Sequence, residues 1–294
     1  MLVWWVRPSR SIPLAAAIFV FFVVPVLGSL LPKLEDREEY QFPVSAVEVN
    51  EPHAWAPKTL LSDVFVDDGF PETVSLLDPE LAKRVAQAFE KNPWVERVNS
   101  VTISGQPAIR TIVTYRQPVA LIRLGDQHLP IDRNGVLLPA EDFSISDQER
   151  LPIIENVQTK PDRPGKRWPD GVVVAAAQLA TQLCPDQNMD PYWRTFQLRS
   201  IIAPSQGDQD VPLPMEEIRF ELATTNGSRI VWGRPPGADH LEPTVEQKIG
   251  RLRQYLTRFG SFDKPDGPYR IDIRLFDAIA LERIAVSDSQ PQFR

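Results

Sequence analysis

Residues Tyr115–Pro139, YRQPVALIRLGDQHLPIDRNGVLLP, decide how the chain is divided. The stretch starts as a strand, passes a proline, continues as a strand and closes on an Asp-Arg-Asn-Gly turn at 132–135. Within this turn, Gly135 can adopt the positive φ that a tight hairpin requires. The stretch contains no nucleophile, metal-ligand set or phosphate loop, so it is predicted to be a structural joint between two modules. Across the turn we expect Leu129 and Ile131 to pair with Val136 and Leu138.

The composition indicates a folded chain built from short elements. Its 294 residues are enough for two modest domains, and 43% of them are apolar, which is enough for packed cores. The 29 prolines are roughly double the usual share of about 5% and argue against a long helical bundle. A net charge of -7 opposes the basic footprint that nucleic-acid binding requires, so no nucleic-acid partner is expected.

Candidate catalytic residues are few. Asp132 is interpreted as a turn-forming residue rather than a catalytic acid, because Asp side chains bond their own backbone in turns. Asp272 and Arg274 lie two residues apart on a predicted strand and are expected to form a solvated or cross-strand pair. The single cysteine, Cys184, cannot form an internal disulfide or a paired redox site and is interpreted as a buried small hydrophobe. The three histidines lack metal-ligand spacing: His53, His128 and His240.

Motifs for enzymatic chemistry are also missing from the sequence, which contains no HExxH, GxSxG or Walker pattern. We therefore predict that the chain is not an enzyme and has no catalytic, cofactor-binding or metal-binding residues. One alternative stays open at this point, because two carboxylates distant in sequence can form a catalytic pair in space.

Residues 12–31 form an uncharged stretch that matches the ~20 residues needed to cross a bilayer as a helix. Arg7 and Arg10 precede it, so residues 1–11 are predicted to be a cytoplasmic tail and the following chain to be exported. The alternative is a cleaved signal peptide, for which Val-Leu-Gly at 26–28 offers a small-residue cleavage site. We favour the anchor because the apolar run continues through Leu31.

The chain between the apolar stretch and the joint contains a linker and a first module. Residues 32–58 are rich in proline and acidic residues and are predicted to be an extended linker. Residues 59–122 become periodic and form the first module. Its expected elements are a short strand at 60–66, a helix from Asp78 to Lys91 and a hairpin formed by 94–103 and Ile109–Tyr115.

Residues 123–284 are predicted to be a longer β-rich module, and residues 285–294 a flexible tail. The turn Asn226-Gly227 between alternating residues is the strongest local hairpin signal in the chain. Thr244 and Gln247 fit the capping box of an amphipathic helix. The expected elements are a helix at 171–183 with Asp170 as the candidate cap, a helix at 244–259, and strands at 194–202, 217–222, 228–233, 269–276 and 278–284.

The basic residues of the helix at 244–259 have two interpretations. We interpret them as the solvated face of a surface helix, since charged residues usually lie opposite the apolar stripe. Contact with anionic lipid or with an acidic partner is the alternative. The residues concerned are Lys248, Arg251, Arg253 and Arg258.

Several motifs occur in the order known from one protein family. The helix end NPWV at 92–95 and the segment TIVTYRQPVA at 111–120 resemble the POTRA domain of the FtsQ/DivIB family of bacterial division proteins. The hairpin LPIDRNGVLLP at 129–139 is similar to a hairpin of that family. The segments ELATTNGSRIVWG at 221–233 and RIDIRLFDAIAL at 270–281 are similar to its β domain. The resemblance covers about 59–284.

The resemblance implies an α+β fold with a single N-terminal transmembrane helix, a POTRA-like α/β domain and a mixed or antiparallel β domain with flanking helices. It implies a non-enzymatic scaffold of the division machinery, anchored in the inner membrane by 12–31, with a cytoplasmic N-terminus and extracytoplasmic C-terminal domains. The implied partners are division proteins of the FtsB/FtsL (DivIC) type, which bind the final strands of the β domain. Carried over, the partner-binding residues are Phe276, Ala278, Ile279, Ala280, Leu281, Glu282 and Arg283.

Two other functions are weighed against this one. A POTRA-type module for protein export or envelope assembly would need a barrel partner that the chain does not contain. An anchored envelope hydrolase would need a pocket in which carboxylates or histidines converge.

Overall fold

The computed structural model describes residues 37–104, 109–185, 192–205, 213–238 and 241–284, which form an α+β fold with mixed sheets. The predicted fold class is confirmed at this level. The predicted cytoplasmic tail, the span at 12–31 and the tail at 285–294 lie outside the described residues. Within the described part, no helix combines the length and the apolar character that a bilayer crossing demands.

The described residues contain six α-helices and thirteen strands. The helices are α1 (Leu60–Asp67), α2 (Leu81–Lys91), α3 (Ile145–Gln148), α4 (Gly171–Leu183), α5 (Tyr192–Thr195) and α6 (Val245–Phe259). The strands are β1 (Gln41–Pro43), β2 (Glu48–Val49), β3 (Thr73–Ser75), β4 (Val95–Ile103), β5 (Ile109–Tyr115), β6 (Pro118–Leu124), β7 (Gln127–Asp132), β8 (Ile153–Glu155), β9 (Leu198–Ile202), β10 (Phe220–Thr224), β11 (Arg229–Gly233), β12 (Tyr269–Asp272) and β13 (Ala280–Arg283).

The first core lies between α1, α2 and two small sheets. One sheet has the strand order β2-β5-β4, and the other pairs β1 with β3. On α2, Leu81, Val85 and Phe89 recur at helical spacing and are buried, as the apolar pattern predicts. The helix ends before Pro93, which cannot continue it. The predicted hairpin of β4 and β5 is confirmed as an antiparallel pair.

The segment 60–66 was expected to be a strand, and this prediction is wrong because it forms α1. Leu60 and Val64, four residues apart, are the two buried side chains of this helix. Short apolar runs are compatible with the two-residue period of a strand and with the 3.6-residue period of a helix, and here packing against the first core selects the helix.

Residues 37–58, which belong to the predicted linker, contribute structure to the first core. They contain β1 and β2, and their Val44 and Val47 are buried. The Asn50 side chain then extends the pairing of β2 with β5: its Nδ2 donates to the carbonyl of Val113 (3.0 Å) and its Oδ1 accepts from the Val113 amide (2.7 Å). This segment therefore packs as part of the first module rather than as a free spacer.

The remaining eight strands form one large sheet in the order β13-β12-β11-β10-β9-β8-β6-β7. The pairs β12/β11, β9/β8 and β8/β6 are parallel and the others are antiparallel. Helices α4 and α6 supply apolar side chains to its core. The predicted α4 is confirmed with Asp170 as its N-cap, because the Asp170 carboxylate accepts from the Val172 amide at 2.8 Å. The predicted boundary between residues 122 and 123 falls inside β6.

The joint is built around the Asp132 carboxylate. It accepts hydrogen bonds from the amides of Asn134 and Val136, both at 2.8 Å, and from Arg116 at 2.7 Å. Asp132 therefore has the turn-forming role expected from the sequence. The expected register is wrong, since Ile131 bridges Leu137 and the main partner of β7 is β6.

The bridge beyond the turn also covers part of the outer edge of β7. Ile131 pairs with β6 on one side and with Leu137 on the other. The Leu138 amide donates to the carbonyl of Pro130 at 2.9 Å. Pro130 itself has no amide proton to offer to another strand.

The two cores meet along this joint. Leu121, Leu138 and Leu151 lie in the larger module, yet their side chains pack into the first core. The indole of Trp94 donates to Asp142 at 2.7 Å and stacks on Phe143 with a centroid distance of 5.6 Å. The predicted structural joint thus holds the two modules together by both polar and apolar contacts.

Three strand predictions in the larger module are displaced. The strand expected at 194–202 begins only at Leu198, because Tyr192–Thr195 is the short helix α5. The strand expected at 217–222 is β10, shifted to Phe220–Thr224, and its Asn-Gly hairpin with β11 is confirmed. The strand expected at 269–276 ends at Asp272, where the chain turns away from the sheet.

Replacement of Gly135 by valine tests the joint. Gly135 has φ +71°, and a Cβ there would lie 3.0 Å from Cγ2 of Val174. We expect Gly135→Val to lower the free energy of unfolding by about 2–4 kcal/mol, because backbone strain and overpacking add. Urea unfolding followed by tryptophan fluorescence measures this loss.

Gly125 provides the matched control for this test. It also has positive φ, +61°, but a Cβ there would meet no atom within 4 Å. Gly125→Val should therefore cost only about 1–2 kcal/mol, from backbone strain alone. Equal losses in the two variants would contradict the packing of Gly135 against α4.

A second contact attaches the segment 37–58, the chain that enters the first module, to the end of β5. His53 Nε2 lies 2.6 Å from the carbonyl of Arg116, and the Trp55 amide donates to His53 Nδ1 at 3.3 Å. Both contacts are satisfied by the neutral imidazole that carries its proton on Nε2. Burial lowers the pKa of His53, and burial raises the pKa of the neighbouring Tyr115 to about 12. The Tyr115 hydroxyl donates to the carbonyl of Asn50 at 2.9 Å.

This contact predicts a pH dependence of stability. Because the pKa of His53 is lower in the folded chain than in the unfolded one, its stabilising contribution is present above the unfolded value of about 6.5. The contribution is lost as the pH falls below that value toward the folded pKa. Wild-type stability should therefore decrease more steeply from about pH 7.5 to 5 than that of His53→Gln. Urea unfolding at several pH values measures this slope, and a slope in His53→Gln equal to that of the wild type would exclude His53 as the source.

Candidate protein-binding edge

Strand β13 is the open end of the large sheet. It pairs with β12 in an antiparallel register that sets Leu281 opposite Ile271, and no other strand of the described residues pairs with it. All four of its side chains are exposed. An unpaired strand edge presents backbone donors and acceptors that a second chain can use.

The direction of the free backbone groups follows from one hydrogen bond. The Ile284 amide donates to the carbonyl of Pro268 at 2.9 Å, so these two residues occupy a hydrogen-bonding position of the ladder. Such positions alternate along an antiparallel pair. The amides and carbonyls of Glu282 and Ala280 therefore face β12, and those of Leu281 and Arg283 face outward. Four backbone groups are thus directed away from the sheet.

Exposed apolar side chains lie beside this edge. Phe276 is 58% exposed, Leu281 is 45% exposed, and Leu275 is also exposed. Large apolar side chains grouped on a surface are typical of a site that binds another molecule. The edge therefore combines free backbone groups with apolar contact area.

A groove of about 530 Å³ runs between α6 and the segment that leads into β13. Tyr255 and Phe259 of α6 line one wall, and Phe276, Ile279 and Leu281 line the other. Arg251 and Arg258 also line the groove, and because they outnumber its one lining carboxylate, Asp277, the groove carries a net positive charge. The groove favours side chains that are apolar or acidic.

Arg251 holds the segment before β13 in place. Its guanidinium donates to the carbonyl of Ile273 at 3.1 Å and to the carbonyls of Leu275 and Phe276. Three carbonyls converge on one planar donor group, which a lysine could not satisfy in the same geometry. Arg251 lies on α6, which forms one wall of the groove, and its hydrogen bonds fix the segment that forms the opposite wall.

The expected pair of Asp272 and Arg274 is confirmed. Arg274 Nη2 lies 2.6 Å from the Asp272 carboxylate, and the Arg274 amide also donates to it at 3.0 Å. The hydrogen bonds from Arg274 lower the pKa of Asp272, and the same contact raises the pKa of Arg274. Asp272 is the last residue of β12, so the pair closes the strand where the sequence pattern predicted continuation.

The interpretation of Lys248 as a solvated residue is wrong. Its side chain is 1% exposed, its Nζ lies 2.8 Å from the Glu242 carboxylate, and it lies 5.2 Å from the centroid of the Trp232 ring. The same carboxylate accepts from the amide of Arg234 at 3.0 Å. A signal was present in the sequence, since Lys248 follows Val245 by three residues and therefore falls on the apolar stripe of α6.

The structure distributes the seven predicted partner-binding residues over two kinds of position. Four form β13, whereas three precede it in an irregular segment. Within that segment Phe276 and Ala278 are exposed, and Ile279 packs partly against the core. Only part of the predicted range is therefore a strand edge, namely Ala280, Leu281, Glu282 and Arg283.

The other residues considered for chemistry lie apart from this edge. His53 belongs to the first module, His128 lies on β7, and Cys184 is buried after α4. His240 lies outside the described residues. Over the ranges that the structure describes, no group of three or more His, Cys, Asp or Glu side chains is arranged to hold a metal ion.

Arg251→Lys tests whether the guanidinium shapes the groove. Charge-assisted hydrogen bonds contribute about 1.5–3 kcal/mol each, so we expect amide exchange in 274–281 to accelerate at least about tenfold. Hydrogen exchange measured by mass spectrometry reports this change. Arg253→Lys is the control, because Arg253 stacks on Tyr192 and should leave the exchange unchanged. Unaltered protection in Arg251→Lys would contradict the assigned contacts.

No protein-family model matches this chain, and no curated protein matches it either. The open sheet edge and the order of motifs in the sequence are therefore the observations from which a function is inferred.

Proposed function

We propose that this chain is a non-enzymatic scaffold of the bacterial division machinery. Residues 12–31 anchor it in the inner membrane with the N-terminus in the cytoplasm, and its C-terminal modules link septal-assembly proteins outside the cytoplasm. The single observation that carries this proposal is the open edge of β13, all four side chains of which are exposed. It occurs where the resemblance to the FtsQ/DivIB family implies contact with a partner.

The mode of binding that fits this edge is strand addition. A partner strand pairs its backbone with the outward groups of Leu281 and Arg283, which extends the large sheet by one strand. These four groups contribute net about 0.5–1.5 kcal/mol per hydrogen bond, or a few kcal/mol together. Association costs about 4–15 kcal/mol in lost freedom, so backbone pairing alone does not hold the partner. Side-chain contacts must supply the remainder.

The groove beside β13 provides those side-chain contacts. Phe276 and Leu281 expose apolar surface, and burying one such side chain contributes about 1.5–3 kcal/mol. A partner that fits both features has an extended segment with apolar and acidic side chains on the side facing α6. We propose division proteins of the FtsB/FtsL (DivIC) type as the partners, with the lipid bilayer contacted through 12–31 and no nucleic acid.

Leu281→Pro tests strand addition directly. Proline removes the outward amide of residue 281 but none of the hydrogen bonds to β12, so the strand should remain in the sheet. We expect the affinity for a purified FtsB/FtsL (DivIC)-type pair to fall at least about tenfold, as measured by calorimetry. A depletion strain that carries this variant should form filaments instead of septa.

Leu281→Ala is the matched control, since it keeps the backbone amide and removes only the side chain. Because the Leu281 side chain also contributes to binding, this variant should bind more weakly than the wild type but more tightly than Leu281→Pro. Melting temperatures of both variants close to that of the wild type establish that the sheet is intact. If Leu281→Pro binds and divides like the wild type while folded, the proposed use of the edge is wrong.

A further inference from the structure

Most of the net charge of the chain is concentrated near its entry into the first module. Residues 37–75 contain eight acidic and two basic residues, a net charge of -6 out of -7 for the whole chain. The two basic residues are Arg37 and Lys58. The acidic side chains of this segment are Glu38, Glu39, Glu48, Glu51, Asp63, Asp67, Asp68 and Glu72. This part of the surface therefore attracts cations and repels anions.

An apolar groove of about 550 Å³ lies within this acidic segment. One wall is formed by Pro43, Val44 and Val47 of the entering chain, and the other by Leu61, Phe65 and Val66 of α1. We call it the α1 groove. Val66 is 76% exposed, whereas Leu60 and Val64 of the same helix are buried.

The floor of the α1 groove is fixed rather than adaptable. Phe65 makes edge contacts with Phe70 and Phe89, each with a centroid distance of 5.5 Å. The carbonyl of Glu72 accepts from the Val44 amide at 3.0 Å, which ties the wall formed by the entering chain to the segment between α1 and β3. A groove held in this way offers an apolar surface without reorganisation, which lowers the cost of binding.

The rim of the groove is acidic. Glu72 lines the groove, and Asp63 lies one helical turn before Val66 on α1. Neither carboxylate forms a salt bridge with any of the described residues. The one cation above the floor, Arg84, lies 5.0 Å from the Phe70 centroid and is paired with Asp78 at 3.0 Å. The rim therefore has negative charge that its own protein leaves uncompensated.

We propose that the α1 groove binds a basic amphipathic segment of a partner protein. The apolar side chains of that segment enter between Pro43 and Val66, and its lysines or arginines meet Asp63 and Glu72. An anionic lipid surface does not fit, because its charge has the same sign as the rim. The site is separate from β13, and the proposal does not depend on the division role.

A synthetic peptide serves as the probe because the partner is unidentified. We choose an amphipathic peptide of about 14 residues, made of leucine and lysine at helical spacing, and measure its binding to the full-length chain by fluorescence anisotropy. A leucine/glutamate peptide of the same pattern should bind at least about tenfold more weakly. Affinity for the basic peptide should also fall as salt is raised from about 50 to 300 mM.

Variants locate the binding on the protein. We expect Val66→Ser to weaken binding about fivefold to tenfold through lost apolar contact, and Asp63→Lys with Glu72→Lys to weaken it about tenfold. Ile145→Ser and Glu90→Lys are the controls, because these residues are exposed elsewhere and should leave binding unchanged. Each variant should keep the wild-type melting temperature, since Val66 and Glu72 are exposed.

Three results would overturn the proposal. The first is equal affinity of wild type and folded Val66→Ser for the basic peptide. The second is equal or tighter binding of the leucine/glutamate peptide. The third is that dihexanoyl phosphatidylglycerol, a soluble anionic lipid, competes with the basic peptide for the wild type but not for Val66→Ser. This result would assign the groove to lipid instead of protein.

Discussion

The buried ion pair between Arg116 and Asp132 is the contact on which the arrangement of the two modules depends. Arg116 is 14% exposed and Asp132 2%, so neither charge is compensated by water. Removing one partner of such a pair costs about 3–5 kcal/mol, because the other charge is left buried. Asp132 also organises its own turn, so a single carboxylate fixes both the turn after β7 and the chain that enters β6.

Contacts close to the Arg116–Asp132 pair reach both cores. The turn places Gly135 against α4, and Leu138 just beyond it packs into the first core. His53 binds the carbonyl of Arg116 itself, which attaches the entering chain to the same point. The acidic α1 groove and the open edge of β13 are therefore carried by one connected body of packing and hydrogen bonds. A scaffold with two binding surfaces requires such a connection if the partners are to be held in a defined relation.

Elements with a strong local signal could be predicted from the sequence. The Asp170 cap, the Thr244 capping box and the Asn226-Gly227 turn each contain their own chemistry, and α4, α6 and the β10/β11 hairpin form as expected. Elements whose conformation depends on packing against distant parts of the chain could not be predicted from the sequence. Segment 60–66 is helical because Leu60 and Val64 enter the first core, and 41–43 and 48–49 are strands because they pair with β3 and β5.

The candidate edge at β13 was likewise predictable from the sequence only in part. Its position at the end of the sheet was expected, but the end of β12 at Asp272 depends on the side-chain pair with Arg274 and on three carbonyls bound by Arg251. Lys248 lies on the apolar stripe of α6, where its pairing with Glu242 and its contact with the Trp232 ring outweigh the usual preference of lysine for solvent.

The partly covered outer edge of β7 limits how copies of this chain associate through the large sheet. Copies of a protein can join edge to edge into a linear polymer only if each molecule has two open sheet edges, one for each neighbour. Here Pro130 and the bridge of Ile131 to Leu137 obstruct one end, whereas no strand of the described residues covers the β13 end. Under the proposed strand addition, a strand added there would complete the sheet instead of extending a fibre, with one partner strand for each copy.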